Sequence, residues 1–219
     1  MSEEKELTFY FDYISPYAFL AWEKIGRICE KYTLKLNPEP ILFGVILNQM
    51  GTLGPAEIPV KREYIYKDVL RWAKKKNIEI NFPPSHPFNP LPSLRATCLM
   101  DNHPQKYEFI NRVFDTCWLE GKDISNPEII SSILNEFGID NGIEKFNSPE
   151  VKNLLKEKTD NAINRGIFGV PTMIVDNELF WGNDRLEFLE NFLRGEDNID
   201  QSKLKEILDR PKSIDRKAK

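Results

Sequence analysis

Strand-type signal is confined to the two ends of this chain, and that split limits its folds more than any other feature. Residues 7–11, "LTFYF", are aromatic and β-branched enough for a strand. From Pro16 the apolar positions Phe19, Trp22, Ile25, Ile28, Cys29 and Tyr32 recur at helical spacing. "TLKLNPEPILF" then alternates Leu34 and Leu36 as a second strand, with Pro38 and Pro40 expected to end regular pairing. The opening is therefore strand, helix, strand.

Residues 43–165 carry almost no strand signal. A Gly/Pro-bearing loop at 51–59 precedes helical patterns at 60–76, 92–102, 105–120, 127–137 and 149–165, with the proline-rich "NFPPSHPFNPLP" between the first two. Asn126-Pro127 and Ser148-Pro149 each pair a capping side chain with proline at the first helical position, and Gly138 and Gly166 stand where helices should stop.

After Gly166 the pattern reverts. "VPTMIVD" and "ELFWG" are short apolar runs joined by Asp176-Asn177, a good hairpin pair. "DRLEFLENFLRG" then reads as a helix opened by Asp184 or Asn183 and stopped by Gly195, and one more helix near 201–209 precedes a basic, solvated tail, "RPKSIDRKAK". A strand-helix-strand unit needs partners to cover its faces, and the terminal hairpin and helix supply them. The expected fold is α/β and thioredoxin-like, a mixed four-stranded sheet with a large all-helical insertion. Residues 1–42 plus 166–219 form the thioredoxin-like domain and 43–165 the inserted helical domain.

Composition narrows the function classes. The formal charge of −4, from 34 acidic and 30 basic residues with the signs interspersed, argues against a nucleic-acid partner. "MSEEKE" lacks the basic start and apolar segment of a secretory signal, and no apolar run approaches the ~20 residues of a membrane span, so a cytoplasmic protein with no membrane partner is expected. Cys29, Cys98 and Cys117 are widely separated and fall on apolar helix faces, which predicts buried thiols and no disulfide framework. His86 and His103 are isolated, each beside a proline, and predict no metal site.

In such a fold the first helix begins where free N–H groups and the helix dipole favour a negative atom, the position redox members give to a cysteine thiolate. Here it holds Ser15-Pro16-Tyr17-Ala18, which removes dithiol chemistry. Ser15 can be a plain N-cap, as Ser148 is expected to be, or its hydroxyl can donate to a thiolate brought by another molecule. Val170-Pro171, flanked by Gly169 and leading into a strand, is a candidate cis peptide whose edge an extended ligand can pair with. Asn183, Asp184 and Arg185 are either caps and a surface ion pair or a holder for a ligand's charged end.

"FYFDYISPYAFLA", "PVKREYIYKDVLRWAKKKNI", "FGVPTMIV" and "LFWGNDRLEFLE" together resemble, in order and spacing, the 2-hydroxychromene-2-carboxylate isomerases and the kappa-class glutathione transferases of the DsbA-like thioredoxin superfamily. The resemblance spans roughly residues 6–195. It implies glutathione, or another low-molecular-weight thiol, as cofactor, with no metal and with catalytic Ser15 facing the sulfur. Val170 would pair with the tripeptide backbone beside a cis Pro171, Asn183 and Asp184 would meet the γ-glutamyl end, and Lys61 the glycyl region. Thr52 stands where the family commonly has Asn and offers a hydroxyl instead of an amide.

The implied reaction is cis-trans isomerisation of a conjugated, aromatic-derived carboxylic acid by reversible thiol addition. The small-molecule substrate would lie between sheet and helical insertion, with Lys61 and Arg62 as candidates for its carboxylate and Phe43, Trp72 and Phe88 as ring walls or core. A homodimer is also implied. Two other readings stay open: a kappa-type glutathione transferase or peroxidase, and a non-catalytic DsbA-like peptide-binding module in which Ser15 only caps.

Overall fold

The computed structural model describes residues 5–214; residues 1–4, and 215–219 of the basic tail, lie outside the described part. β1 (Glu6–Phe11), α1 (Pro16–Lys31) and β2 (Lys35–Pro40) open the chain. The helical block follows as α2 (Phe43–Gln49), a 3-10 turn (Pro55–Glu57), α3 (Pro59–Lys76), α4 (Leu91–Leu99), α5 (Lys106–Trp118), α6 (Pro127–Glu136), α7 (Gly142–Phe146) and α8 (Pro149–Asn164). β3 (Thr172–Val175), β4 (Glu178–Trp181), a second 3-10 turn (Asn183–Arg185), α9 (Leu186–Leu193) and α10 (Gln201–Leu208) complete it.

The four strands form one mixed sheet in the order β2-β1-β3-β4, with β1 parallel to β2 and antiparallel to β3. The β3–β4 turn has Asp176 and Asn177 at φ 51° and 66°, the left-handed pair a two-residue hairpin requires. Contrary to expectation, Pro38 and Pro40 do not end β2: they pair in register with Phe9 and Phe11. Lys35 N donates to Lys5 O, just before β1, and Ile41 N to Phe11 O, so odd-numbered nitrogens of β2 face the sheet and the two proline nitrogens face its open edge, where no donor is needed.

Alternation along β1 sorts its side chains. Leu7, Phe9 and Phe11 pack under α1 against Phe19, Trp22 and Ile25, while Tyr10 turns to the other face with Ile46, Ala162 and Ile174. The larger cluster runs without a break into the helical block. Phe114 of α5 sits with ring centroids 5.5 Å from Phe11, 4.6 Å from Tyr13, 6.0 Å from Phe19 and 6.0 Å from Trp22. Sheet, α1 and α5 thus share one aromatic core.

Local signals hold where capping chemistry is local. Asn126 Oδ1 accepts from Glu128 N at 2.9 Å and Ser148 Oγ from Val151 N at 3.3 Å, and Gly138 and Gly166 end their helices at φ 76° and 78°. Two helices have no counterpart in the sequence reading. α2 is capped from a distance: Leu42 N donates to Thr159 Oγ1 at 3.0 Å and Phe43 N to Asp12 Oδ2 at 3.0 Å. α7 nests on α6 so closely that a Cβ on Gly142 would come within 2.8 Å of Leu134 Cδ1. α9 also starts differently, because Asn183 and Asp184 lie in a 3-10 turn and neither side chain caps it.

All three cysteines are buried and free, and burial pushes Cys29 and Cys98 up to about 12 and Cys117 well above its ordinary value. None is a nucleophile near neutral pH.

Candidate active site

A cavity of about 690 Å³ opens between the end of the sheet and the helical block. Its walls come from the β1–α1 loop, α2, the first 3-10 turn, α3, the proline-rich loop and the chain on either side of β3–β4.

Ser15 is the N-cap of α1: its Oγ accepts from Ala18 N at 3.2 Å. The same hydroxyl donates across the cavity to Val170 O at 3.5 Å, a long contact between residues 155 apart. The Val170-Pro171 peptide is cis. Pro171 O accepts from Gly182 N at 2.9 Å, and Gly182 turns the chain at φ 110° in a conformation that glycine alone adopts freely. That turn delivers Asn183 and Asp184 to the same wall.

Asn183 is 3% exposed, and neither its Oδ1 nor its Nδ2 has a hydrogen-bond partner in the protein. A buried amide without partners is expensive, so it marks a place where a polar group is meant to arrive. Asp184 Oδ2 accepts from Arg185 Nη1 at 2.7 Å. Nearby, Trp181 lies over Gly169, where any Cβ would collide with the indole, and its ring meets Phe168 edge-on at 4.9 Å.

Of the residues singled out from the sequence, Ser15, Val170, Pro171, Asn183 and Asp184 converge on this cavity, as do Phe43, Trp72 and Phe88. Lys61, Thr52 and Arg62 do not. Lys61 and Thr52 are solvent-exposed and outside the lining, and Arg62 turns its guanidinium to Tyr66 Oη and His86 O, at 3.0 Å each.

Asp12, Tyr17, Glu57, Asp68 and His86 also line the cavity, and the sequence reading placed none of them in the site. Asp12 is fully buried and accepts from Ile14 N at 3.1 Å and Phe43 N at 3.0 Å, tying the Ser15 loop to the start of α2. Burial pushes its carboxyl up to about 7, against the two amides that favour the charged form. The available signal was a lone acid inside "FYFDYI", where a charge needs a specific partner.

Tyr17 Oη donates to Asp68 Oδ2 at 2.8 Å, and burial, then that bond, raises the phenol's pKa. His86, set aside as an isolated histidine, donates from Nε2 to Ile14 O at 2.8 Å, which leaves Nδ1 to accept from Tyr66 Oη at 3.2 Å. Burial lowers its pKa against the opposing effect of the bond to Ile14 O, and the Arg62 charge acts in the same sense as burial. Among the described residues no group of His, Cys, Asp or Glu is arranged to hold a metal ion.

This corner can hold an extended polar ligand against a cis X-Pro edge, with its negative end at the start of α1. Comparisons with known proteins identify the family. The profile of the DSBA-like thioredoxin domain matches residues 6–194. The chain is 30% identical over 187 residues to 2-hydroxychromene-2-carboxylate isomerase of Pseudomonas putida, covering 84% of this chain and 91% of that protein. It is 28% identical over 211 residues to glutathione S-transferase kappa 2 of Caenorhabditis elegans, covering 88% and 93%. A solved structure of a selenomethionine 2-hydroxychromene-2-carboxylate isomerase matches at TM-score 0.79 and 27% identity, over 94% of this chain and 100% of that one. These matches along nearly the whole chain show that the protein belongs to the DSBA-like thioredoxin family, alongside the 2-hydroxychromene-2-carboxylate isomerases and kappa-class glutathione transferases.

Proposed function

We propose that this chain is a glutathione-dependent isomerase of the 2-hydroxychromene-2-carboxylate type, working by reversible thiol addition to a conjugated double bond. The observation that carries the reading is the unpartnered, buried Asn183 amide at the Ser15–Val170 end of the cavity. A γ-glutamyl tripeptide has the amine, amide and carboxylate groups to satisfy it.

Ser15, Val170, Pro171, Asn183 and Asp184 would hold the cofactor. The Ser15 oxygen can accept from Ala18 N while its proton swings from Val170 O to a negative sulfur, so capping and chemistry are one role. The α1 dipole favours the same charge. Val170 backbone groups would pair with the tripeptide as an added strand, Asp184 with its ammonium, and Asn183 with the adjoining polar atoms. Lys61 and Thr52 have no part in this proposal, because both lie outside the lining. When bound, glutathione would supply a soft thiolate whose reversible addition to a conjugated carbon would leave the former double bond free to rotate, the same thiolate being released at the end. The chain's own task is to hold that sulfur ionised and keep the substrate in an apolar enclosure. The same reading carries the homodimer implied by the resemblance and the cytoplasmic location expected from the sequence, and sedimentation of the pure protein reads the oligomeric state.

Calorimetric titration with glutathione and with S-methylglutathione tests the thiolate site. Tighter binding of the free thiol by about tenfold or more is expected, the scale of a hydrogen bond to a charged atom. Ser15→Ala should abolish that preference while leaving the S-methyl affinity in place. Equal binding of the two ligands by the unaltered protein would overturn the proposal.

A further inference from the structure

Ser15 sits in a loop that one buried acid holds together. Asp12 Oδ1 accepts from Ile14 N at 3.1 Å, Oδ2 from Phe43 N at 3.0 Å, and the Asp12 carbonyl oxygen from Ser15 N at 3.1 Å. The residue is fully buried, in the wall of the cavity that Ser15 and Val170 also line. A ligand at Ser15 need not touch this carboxyl to feel its charge.

That charge has no partner. Burial sets the state of the carboxyl against the two amides, and no charged side chain contributes to it. The Tyr13 phenol beside it is bonded to Thr97 Oγ1 at 2.8 Å, and burial raises its pKa. His86 donates to Ile14 O at 2.8 Å. α8 reaches the start of α2 through Thr159, but its Lys158 is held by Glu39 at 2.7 Å and Asp101 at 2.8 Å. Elsewhere in the lining Glu57, Asp68 and Asp184 are further acids, and the Arg185 guanidinium is already paired with Asp184 at 2.7 Å.

A thiolate at Ser15 would therefore add a second negative charge to a poorly solvated corner that has no free cation, and the ionised form of Asp12 would become less favourable. An aspartate of ordinary pKa would stay ionised and oppose the sulfur. This one titrates at about 7, so it can surrender its charge near neutral pH at little cost.

We infer that Asp12 and a thiolate bound at Ser15 share one negative charge: as the sulfur ionises and its proton leaves to solvent, the Asp12 carboxylate takes a proton up, and it ionises again when the sulfur bonds to carbon. The inference deepens the proposed function and rests on it for the position of the sulfur. Its consequence is that the net charge of the corner stays constant while the thiolate binds, adds and is released.

Calorimetric titration of the full chain near pH 8, in buffers of different ionisation enthalpy, counts the protons released per ligand bound. Subtracting the count for S-methylglutathione removes the contribution of groups other than the thiol. A thiol with a pKa of about 8.5 is about three-quarters protonated there, so thiolate binding alone releases about 0.8 proton. The unaltered protein should release about 0.3 or less, because Asp12 takes up the balance, and Asp12→Asn about 0.8. A merely structural role would weaken binding in the variant and leave the count per bound ligand where it was. Infrared difference spectra of the unaltered protein, bound minus free, need no variant: glutathione should add a protonated-carboxyl band and S-methylglutathione none. Equal counts in the two proteins, or no such band, overturns the inference alone when the free thiol is still the preferred ligand. Equal binding of the two ligands by the unaltered protein overturns the proposed function and this inference with it.

Discussion

Replacing Phe114 by alanine is expected to lower the free energy of unfolding by about 3–5 kcal/mol, the range for removing a fully enclosed aromatic ring. Phe114 is 0% exposed and touches the rings of Phe11, Tyr13, Phe19 and Trp22, so the cavity left behind is bounded by sheet, α1 and α5 together. Those walls belong to elements that cannot collapse toward one another independently. The same geometry predicts that the helical block does not melt apart from the sheet. Urea unfolding followed by tryptophan fluorescence and by far-ultraviolet dichroism should give one coincident transition, shifted in the variant to lower denaturant. A loss below about 1 kcal/mol, or two separated transitions, would contradict the shared core.

Asp12 gives the second large effect, and it appears as pH dependence. Its folded pKa of about 7 lies above the ordinary value of 3.8, with burial as the main cause. The folded protein therefore holds this proton more tightly than the unfolded chain. The resulting stabilisation is complete below pH 3.8, declines as pH rises toward about 7, and is absent above it. The full excursion is on the order of 4 kcal/mol, at 1.36 kcal/mol per pH unit.

Asp12→Asn removes the titration but offers a single amide oxygen to two donors, Ile14 N and Phe43 N. Leaving one of those amides without an acceptor costs about 1–3 kcal/mol. Wild type should then be the more stable protein near pH 4, and its advantage should shrink or reverse by pH 8. Denaturation curves for both proteins across that range read the difference directly, and parallel pH profiles would refute the assignment. The variant should also loosen α2 and the loop before Ser15, because the two Asp12 oxygens join them.

The legible parts of this protein are those whose causes lie within a few residues. Alternation in "LTFYF", the Asp176-Asn177 turn and the Ser15, Asn126 and Ser148 caps are short-range preferences of backbone and side chain, and each is found where the sequence puts it. Ser15, Val170, Pro171, Asn183 and Asp184 were legible for a related reason. They stand at strand and helix ends, and strand order alone sends those ends to one side of a thioredoxin-like sheet. Where a short-range rule met a long-range fact, it failed. The two prolines of β2 do not end its pairing because β2 lies at an edge, and sheet position is not encoded locally.

What tertiary structure alone decided is the polar character of the cavity. α2 forms because amides at its start reach Asp12 and Thr159, 31 and 117 residues away in the chain. Lys61 and Thr52 fall outside the lining while His86 and Asp68 fall inside, because loop path and helix rotation are set by packing against the shared core. The sequence by itself determined a thioredoxin-like sheet with a serine capping its first helix, since periodicity, caps and turns are local energies. Which side chains line the cavity beyond the helix and strand ends depended on contacts between distant residues, whose energies exist only once the chain has folded.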